Sequence, residues 1–170
     1  PLLRLIRSLD KPVICAVNGV AAGAGANIAF GCDIVLAAKS ARFIQAFSKV
    51  GLVPDAGGSW TLTRILGEPR AKALTMTAEP LPAQTAADWG LIWEALPDDA
   101  FAEGVALRAR QLAQGPTAAY LSIRQAVQAS TQNDHSPTSG STTRASHRSV
   151  APPRPAGITL TPSGSGRMGC

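Results

Sequence analysis

Two segments of the sequence carry residue types that could do chemistry. In Leu52-Val53-Pro54-Asp55-Ala56-Gly57-Gly58-Ser59-Trp60 a carboxylate stands among apolar residues just before a helix pattern. An apolar setting disfavours the charged form of a carboxylate and tunes it toward proton transfer. Asp55 is therefore a candidate general acid/base, and Pro54 and Gly57 beside it are candidate substrate contacts. The second segment is Asn18-Gly19-Val20-Ala21-Ala22-Gly23-Ala24-Gly25-Ala26-Asn27. It follows a strand and opens a helix. Small residues let a ligand approach the backbone, and the N–H groups of a first helical turn lack partners. Such a turn can hold a phosphate or a developing oxyanion. Gly23, Gly25 and Asn27 are its candidate substrate contacts. After Gly23 and Gly25 a dinucleotide fingerprint needs its third glycine where Ile28 stands, and no Gly-Lys-Ser/Thr of a phosphate loop occurs. Two plainer readings stay open on the residues alone. Small residues also serve tight helix–strand packing, and an aspartate before a helix also serves as a cap.

These residues need elements to hold them. Leu2, Leu3, Leu5, Ile6 and Leu9 have helical spacing, ended by Lys11-Pro12. Residues 13–17, 33–38 and 41–44 read as short buried strands, and Gly19 to Gly31 as a turn leading into a helix. Helices are expected from Ser59 to Leu66, closed by Gly67, from Pro69 to Thr77, and from Pro82 to Trp89. Leu91 to Leu96 reads as extended, and two amphipathic helices cover roughly residues 98–113 and 116–129, parted by Gly115-Pro116. Short apolar strands alternating with helices predict a layered α/β fold.

Composition narrows the function classes. The chain has 170 residues, with 45% hydrophobic and 16% charged residues and a net charge of +5. That suits one globular domain with a real core. Residues 1–130 hold 12 Lys/Arg and 10 Asp/Glu; the remaining 40 residues hold four Arg and one Asp. The basic charge is diffuse rather than patched, which argues against nucleic acid as a partner. Cys15, Cys32 and Cys170 form neither a metal-site spacing nor a disulfide framework. Cys15 and Cys32 read as small buried hydrophobes in a reducing cytoplasm. No signal peptide and no long uninterrupted apolar span is present, so a cytoplasmic protein without a membrane segment is expected. Trp60, Trp89 and Trp93 read as core or interface packing. Lys39, Arg42 and Lys49 read as solvated surface, and Asp33 as structural.

Taken together and in order, the motifs change the balance. KPVICAVNGVAAGAGANIAFGCDIVLAA, FSKVGLVPDAGGSWTLTRILG and AADWGLIWEALPDD resemble successive segments of the enoyl-CoA hydratase/isomerase (crotonase) superfamily, over about residues 1–130. Within it they look most like the branch that isomerises ring-epoxidised phenylacetyl-CoA. The resemblance implies a ββα superhelix that assembles as a homotrimer or dimer of trimers. It implies an acyl-CoA substrate and no cofactor, coenzyme A being part of that substrate. It places the downstream oxyanion N–H on the backbone of Ala24. The two glutamates of the hydratases fall on Asn27 and Phe47, which cannot transfer a proton as a carboxylate does. Asp55 stands where the isomerase relatives carry an acid/base aspartate. An isomerase is therefore expected. A Δ3,Δ2-enoyl-CoA isomerase and a non-catalytic acyl-CoA-binding remnant are the alternatives.

The chain begins with Pro1 rather than Met, so a natural start upstream is expected, with the first oxyanion N–H and much of the adenine site in that upstream segment. Residues 131–170 lack aromatic residues and are more than half Ser, Thr, Pro and Gly. Disorder is expected there, since such a segment buries too little apolar surface to offset its ordering entropy. The abrupt change of composition also fits a shifted reading frame. His135, His147, Arg144, Arg148 and Arg154 fall in it and read as solvent-exposed.

Overall fold

Valine, isoleucine and alanine dominate residues 13–17 and 34–38, a composition that suits strands covered on both faces. A computed structural model, describing residues 2–130, places parallel strands there. The elements run in the order α1 (Leu2–Ser8), β1 (Ile14–Val17), β2 (Val20–Ala22), α2 (Ala24–Phe30), β3 (Ile34–Ala38) and β4 (Arg42–Ile44). A 3-10 turn (Ala46–Val50) precedes α3 (Gly58–Thr77), β5 (Leu81–Pro82), α4 (Ala83–Asp88), β6 (Glu94–Leu96), α5 (Phe101–Ala113) and α6 (Thr117–Ser130).

The strands form two three-stranded sheets, β1-β3-β6 and β2-β4-β5. The first is parallel throughout, with Ile14 beside Ile34 and Leu36 beside Glu94. In the second, β2 and β4 are parallel and β4 and β5 antiparallel. Only Asn18-Gly19 separates β1 from β2, so the chain steps from one sheet to the other across two residues. Lys39–Ala41 makes the same step between β3 and β4. The corners are bonded in register too: Arg42 N–H donates to Gly19 O at 3.1 Å and Lys39 N–H to Leu96 O at 2.8 Å. A helix follows each strand pair, so β1-β2-α2 and β3-β4-α3 are successive turns of one ββα coil, the architecture the resemblance implies.

The coils stack closely because the buried residues are small. Ala26, Ala29, Ala37, Ala41, Ala83 and Ala86 all lie in the core with Val35, Leu62, Leu66 and Leu91. Phe30 and Phe43 pack with ring centroids 5.0 Å apart. The two helices expected on either side of Gly67 form one bonded run with a break, where Gly67 takes φ 75 and ψ 165. Pro69 then falls in the first turn of the second half, where its missing N–H costs nothing.

One expectation changes here: residues 20–22 form a strand rather than part of a turn. Three residues flanked by glycines give too short a pattern to register as period two, and pairing with β4 supplies what the local sequence lacks. The expected disordered tail over 131–170 lies outside the described residues.

The Asp33 carboxylate joins three parts of the chain. It accepts the Val13 N–H at 2.7 Å and pairs with Arg124 at 2.6 Å. The same guanidinium donates to the carbonyls of Leu9 and Lys11. Arg124 thereby pins α6 to the α1–β1 connection and the start of β3. Asp33 is structural, as its sequence context suggested.

Candidate active site

The site is organised by the start of α2. Gly23 adopts φ 52 and ψ −124, a backbone conformation that suits glycine. Its N–H donates to Ile44 O at 2.8 Å, which fixes the turn to β4. A Cβ at this position would lie 3.6 Å from Cζ of Phe47, so the phenyl ring lies close beside the turn. The first helical bond runs from Asn27 N–H to Gly23 O at 3.2 Å. The amides of Ala24 and Gly25 precede it and stand outside the helical ladder. Space beside Gly25 is open.

One turn along α2, Asn27 is 1% exposed and fully engaged. Its Nδ2 donates to the Asp55 carbonyl at 3.0 Å, and its Oδ1 accepts from Gln45 Nε2 at 2.9 Å. The Asp55 carbonyl also accepts the Gly58 N–H at 2.8 Å. The loop around Asp55 is tightly wound: Ala56 and Gly57 both have positive φ, 45 and 70. For Ala56 that costs on the order of 1 kcal/mol, which the two bonds to the Asp55 carbonyl help offset. Asn27 thus joins the helix that opens at Ala24 to the loop that carries Asp55. The structure thus joins the turn at Gly23 to the backbone of the loop that carries Pro54, Asp55 and Gly57, through Asn27 and not through the Asp55 carboxylate.

Gly58 shows how closely this unit is fitted. A Cβ there would lie 2.2 Å from Asn27 Nδ2. Gly58→Ala is expected to destabilise the protein by about 1–3 kcal/mol through overpacking. Urea unfolding measures this, and a midpoint equal to that of the parent would contradict the fit.

The sequence expectation for the surroundings of Asp55 is corrected. Asp55 is exposed, with Leu52 and Val53 64% and 81% exposed. Its apolar neighbours flank it along an irregular surface loop and do not fold over it. Sequence adjacency placed them beside the carboxylate; the backbone path turns them outward.

Gln45 was missed. It is buried between β4 and Phe47, holds Asn27 in place, and leaves its own Oε1 without a partner among the described residues. The available signal was an amide within the otherwise apolar run Phe43-Ile44-Gln45-Ala46-Phe47. The tryptophans divide between the core and the surface of the chain. Only Trp89 packs against the core, with Arg70 over its ring at 4.7 Å; Trp93 is 66% exposed and Trp60 lies at the surface. Cys15 and Cys32 are half-buried rather than buried, and their thiols are neighbours. Hydrogen bonding from Cys32 holds the Cys15 thiol down at about 7, while the same pairing pushes Cys32 up.

The sequence profile of the enoyl-CoA hydratase/isomerase family matches residues 1–151. The chain is 50% identical over 133 residues to 1,2-epoxyphenylacetyl-CoA isomerase of Escherichia coli K12, covering 78% of this chain and 51% of that protein. It is equally identical, over 133 residues, to a Rhodobacter capsulatus protein named as a probable enoyl-CoA hydratase, covering 78% and 52%. Among solved structures, an enoyl-CoA hydratase from Mycobacterium avium subsp. paratuberculosis superposes with a TM-score of 0.75 at 40% identity, over 77% of this chain and 53% of that one. One from Polaromonas sp. JS666 gives 0.74 at 39%, over 78% and 51%. The chain spans about half the length of the curated relatives it matches.

Proposed function

Because the chain belongs to the enoyl-CoA hydratase/isomerase family and has the crotonase fold, we propose that it forms part of an acyl-CoA isomerase whose acid/base is Asp55. The observation that carries this reading is the Asn27 bridge, which ties the helix start at Ala24 to the Asp55 loop. In this mechanism the thioester oxygen accepts the Ala24 N–H. Negative charge gathers on that oxygen as the neighbouring carbon loses a proton, and an amide already in place stabilises it without reorganisation. Asp55 takes the proton as carboxylate and returns it to a second carbon as the acid, so the double bond moves and no atom is gained or lost. With a ring epoxide, the same carboxylate assists opening toward the ring-expanded product. Gly23, Gly25, Pro54 and Gly57 shape the approach of the substrate. The chemistry is proton transfer beside a thioester, so the reading calls for no metal or redox cofactor. The same reading has the full protein as a cytoplasmic homotrimer or dimer of trimers.

Isomerisation is favoured over hydration by what occupies the two glutamate positions. Asn27 spends both ends of its amide on Asp55 and Gln45, and Phe47 offers only an apolar ring. Neither can activate water. The epoxyphenylacetyl thioester is the preferred substrate on the strength of the Escherichia coli relative. The test is turnover by the protein of 2-(1,2-epoxy-1,2-dihydrophenyl)acetyl-CoA, a 3-enoyl-CoA and a 2-enoyl-CoA. Conversion of the first is expected. Conversion of the 3-enoyl thioester alone would move the assignment to a Δ3,Δ2-enoyl-CoA isomerase. Hydration of the 2-enoyl thioester, or binding of all three without turnover, would refute it.

A further inference from the structure

At the C-terminal end of α2 the surface opens into a groove of about 550 Å3, inside the ~300–1,000 Å3 range of small-molecule sites. Its walls are Phe30, Ile34, Ile65, Leu112, Ile123 and Val127, from α2, β3, α3, α5 and α6. Ala24, Asn27 and Asp55 are not among the residues that line it, so it is distinct from the candidate active site. Ile65, Ile123 and Val127 are each more than two-fifths exposed. An apolar ligand body lying on them would remove that surface from water.

The rim is cationic. Arg7 and Arg64 both lie over the Trp60 ring, at 5.4 and 4.1 Å from its centroid. Neither pairs with a carboxylate among the described residues. Arg124, also at the groove, is already neutralised by Asp33. Both guanidiniums line the groove as cations, so an anion bound at this rim is attracted by both. Their fork geometry matches a carboxylate with paired N–H···O bonds.

We infer that this groove binds an ionised free carboxylic acid with an apolar chain or ring, its carboxylate on Arg7 and Arg64 and its body along Ile65, Ile123 and Val127. The acid is a separate ligand from the thioester of the active site, where the carboxyl group is masked. Such a ligand would bridge α1, α3 and α6.

Calorimetric titration of the protein with octanoate, and with octan-1-ol as its uncharged counterpart, tests this. Octanoate is expected to saturate a single site and octan-1-ol to bind about tenfold more weakly, because it lacks the charge-assisted bonds. Removing both exposed guanidiniums in R7A/R64A should weaken octanoate at least tenfold and leave octan-1-ol unchanged. Ile123→Asp, which puts a negative charge into the apolar wall and leaves both arginines in place, should weaken octanoate as well. Asp55→Asn should leave its affinity unchanged, so the site can stand or fall apart from the proposed catalysis. Equal affinity for acid and alcohol, full octanoate affinity in R7A/R64A, or no saturable octanoate binding would each overturn the inference.

Discussion

Asp55→Asn is expected to lower acyl-CoA isomerase turnover by about 10²–10⁴-fold, the usual contribution of a positioned acid/base. The amide has nearly the shape of the carboxylate but cannot take a proton from carbon. The position is exposed, and the contacts that fix the loop reach the backbone of Asp55 rather than its side chain. The variant should therefore fold with the stability of the parent and bind the thioester with little change. The loss should fall on kcat, since the proton transfer exists only on the way to the transition state. Steady-state assays and a urea titration on the same preparation separate the two quantities. Full turnover in the variant would remove Asp55 from the mechanism. Asn27, by contrast, touches only the carbonyl of Asp55 and acts as a positioning residue.

The second large effect is on the fold. Arg124→Ala should destabilise the protein by about 3 kcal/mol. The guanidinium is 9% exposed and serves the Asp33 carboxylate together with the carbonyls of Leu9 and Lys11. Removing it leaves a carboxylate and two carbonyls short of a donor at once, and the cost of breaking such a pair exceeds what forming it contributes. Asp33 is partly open to water, which keeps the figure at the lower end of the range for buried pairs. With a denaturant slope of about 1–3 kcal/mol/M, the urea midpoint should fall by on the order of 1–3 M. Arg124→Lys keeps the charge but loses the fork, and should recover only part of the loss. A midpoint within experimental scatter of the parent would show that α6 is held by something other than this clamp. Because α6 also walls the octanoate groove, the same variant should lose octanoate binding along with stability.

Much of the chain could be read before any coordinates. Apolar runs with abrupt glycine and proline boundaries marked β1, β3, β4 and the helices, because secondary structure there follows local periodicity. Gly67 and Pro69 announced the break in α3 by the backbone each permits. The glycine/alanine turn and the lone aspartate were visible as residue types, and their order along the chain carried the family resemblance. The strand β2 was not legible, since three residues hold no period of their own and depend on β4 for bonding. Gln45 stood out only as an amide among apolar neighbours; its role was not legible, because its partner is Asn27, 18 positions away.

What the sequence determined by itself is the set of local elements and the chemical inventory: a candidate acid at Asp55, a glycine/alanine turn at residues 23–25, and no carboxylate at residues 27 or 47. What only the tertiary structure decided is how these meet. Asn27 reaches Asp55 across 28 positions, Arg124 reaches Asp33 across 91, and the Asp55 loop turns outward instead of burying its apolar neighbours. Local propensity acts over a few residues, whereas hydrogen bonds between distant side chains and the path of an irregular loop are set by how the ββα coils stack.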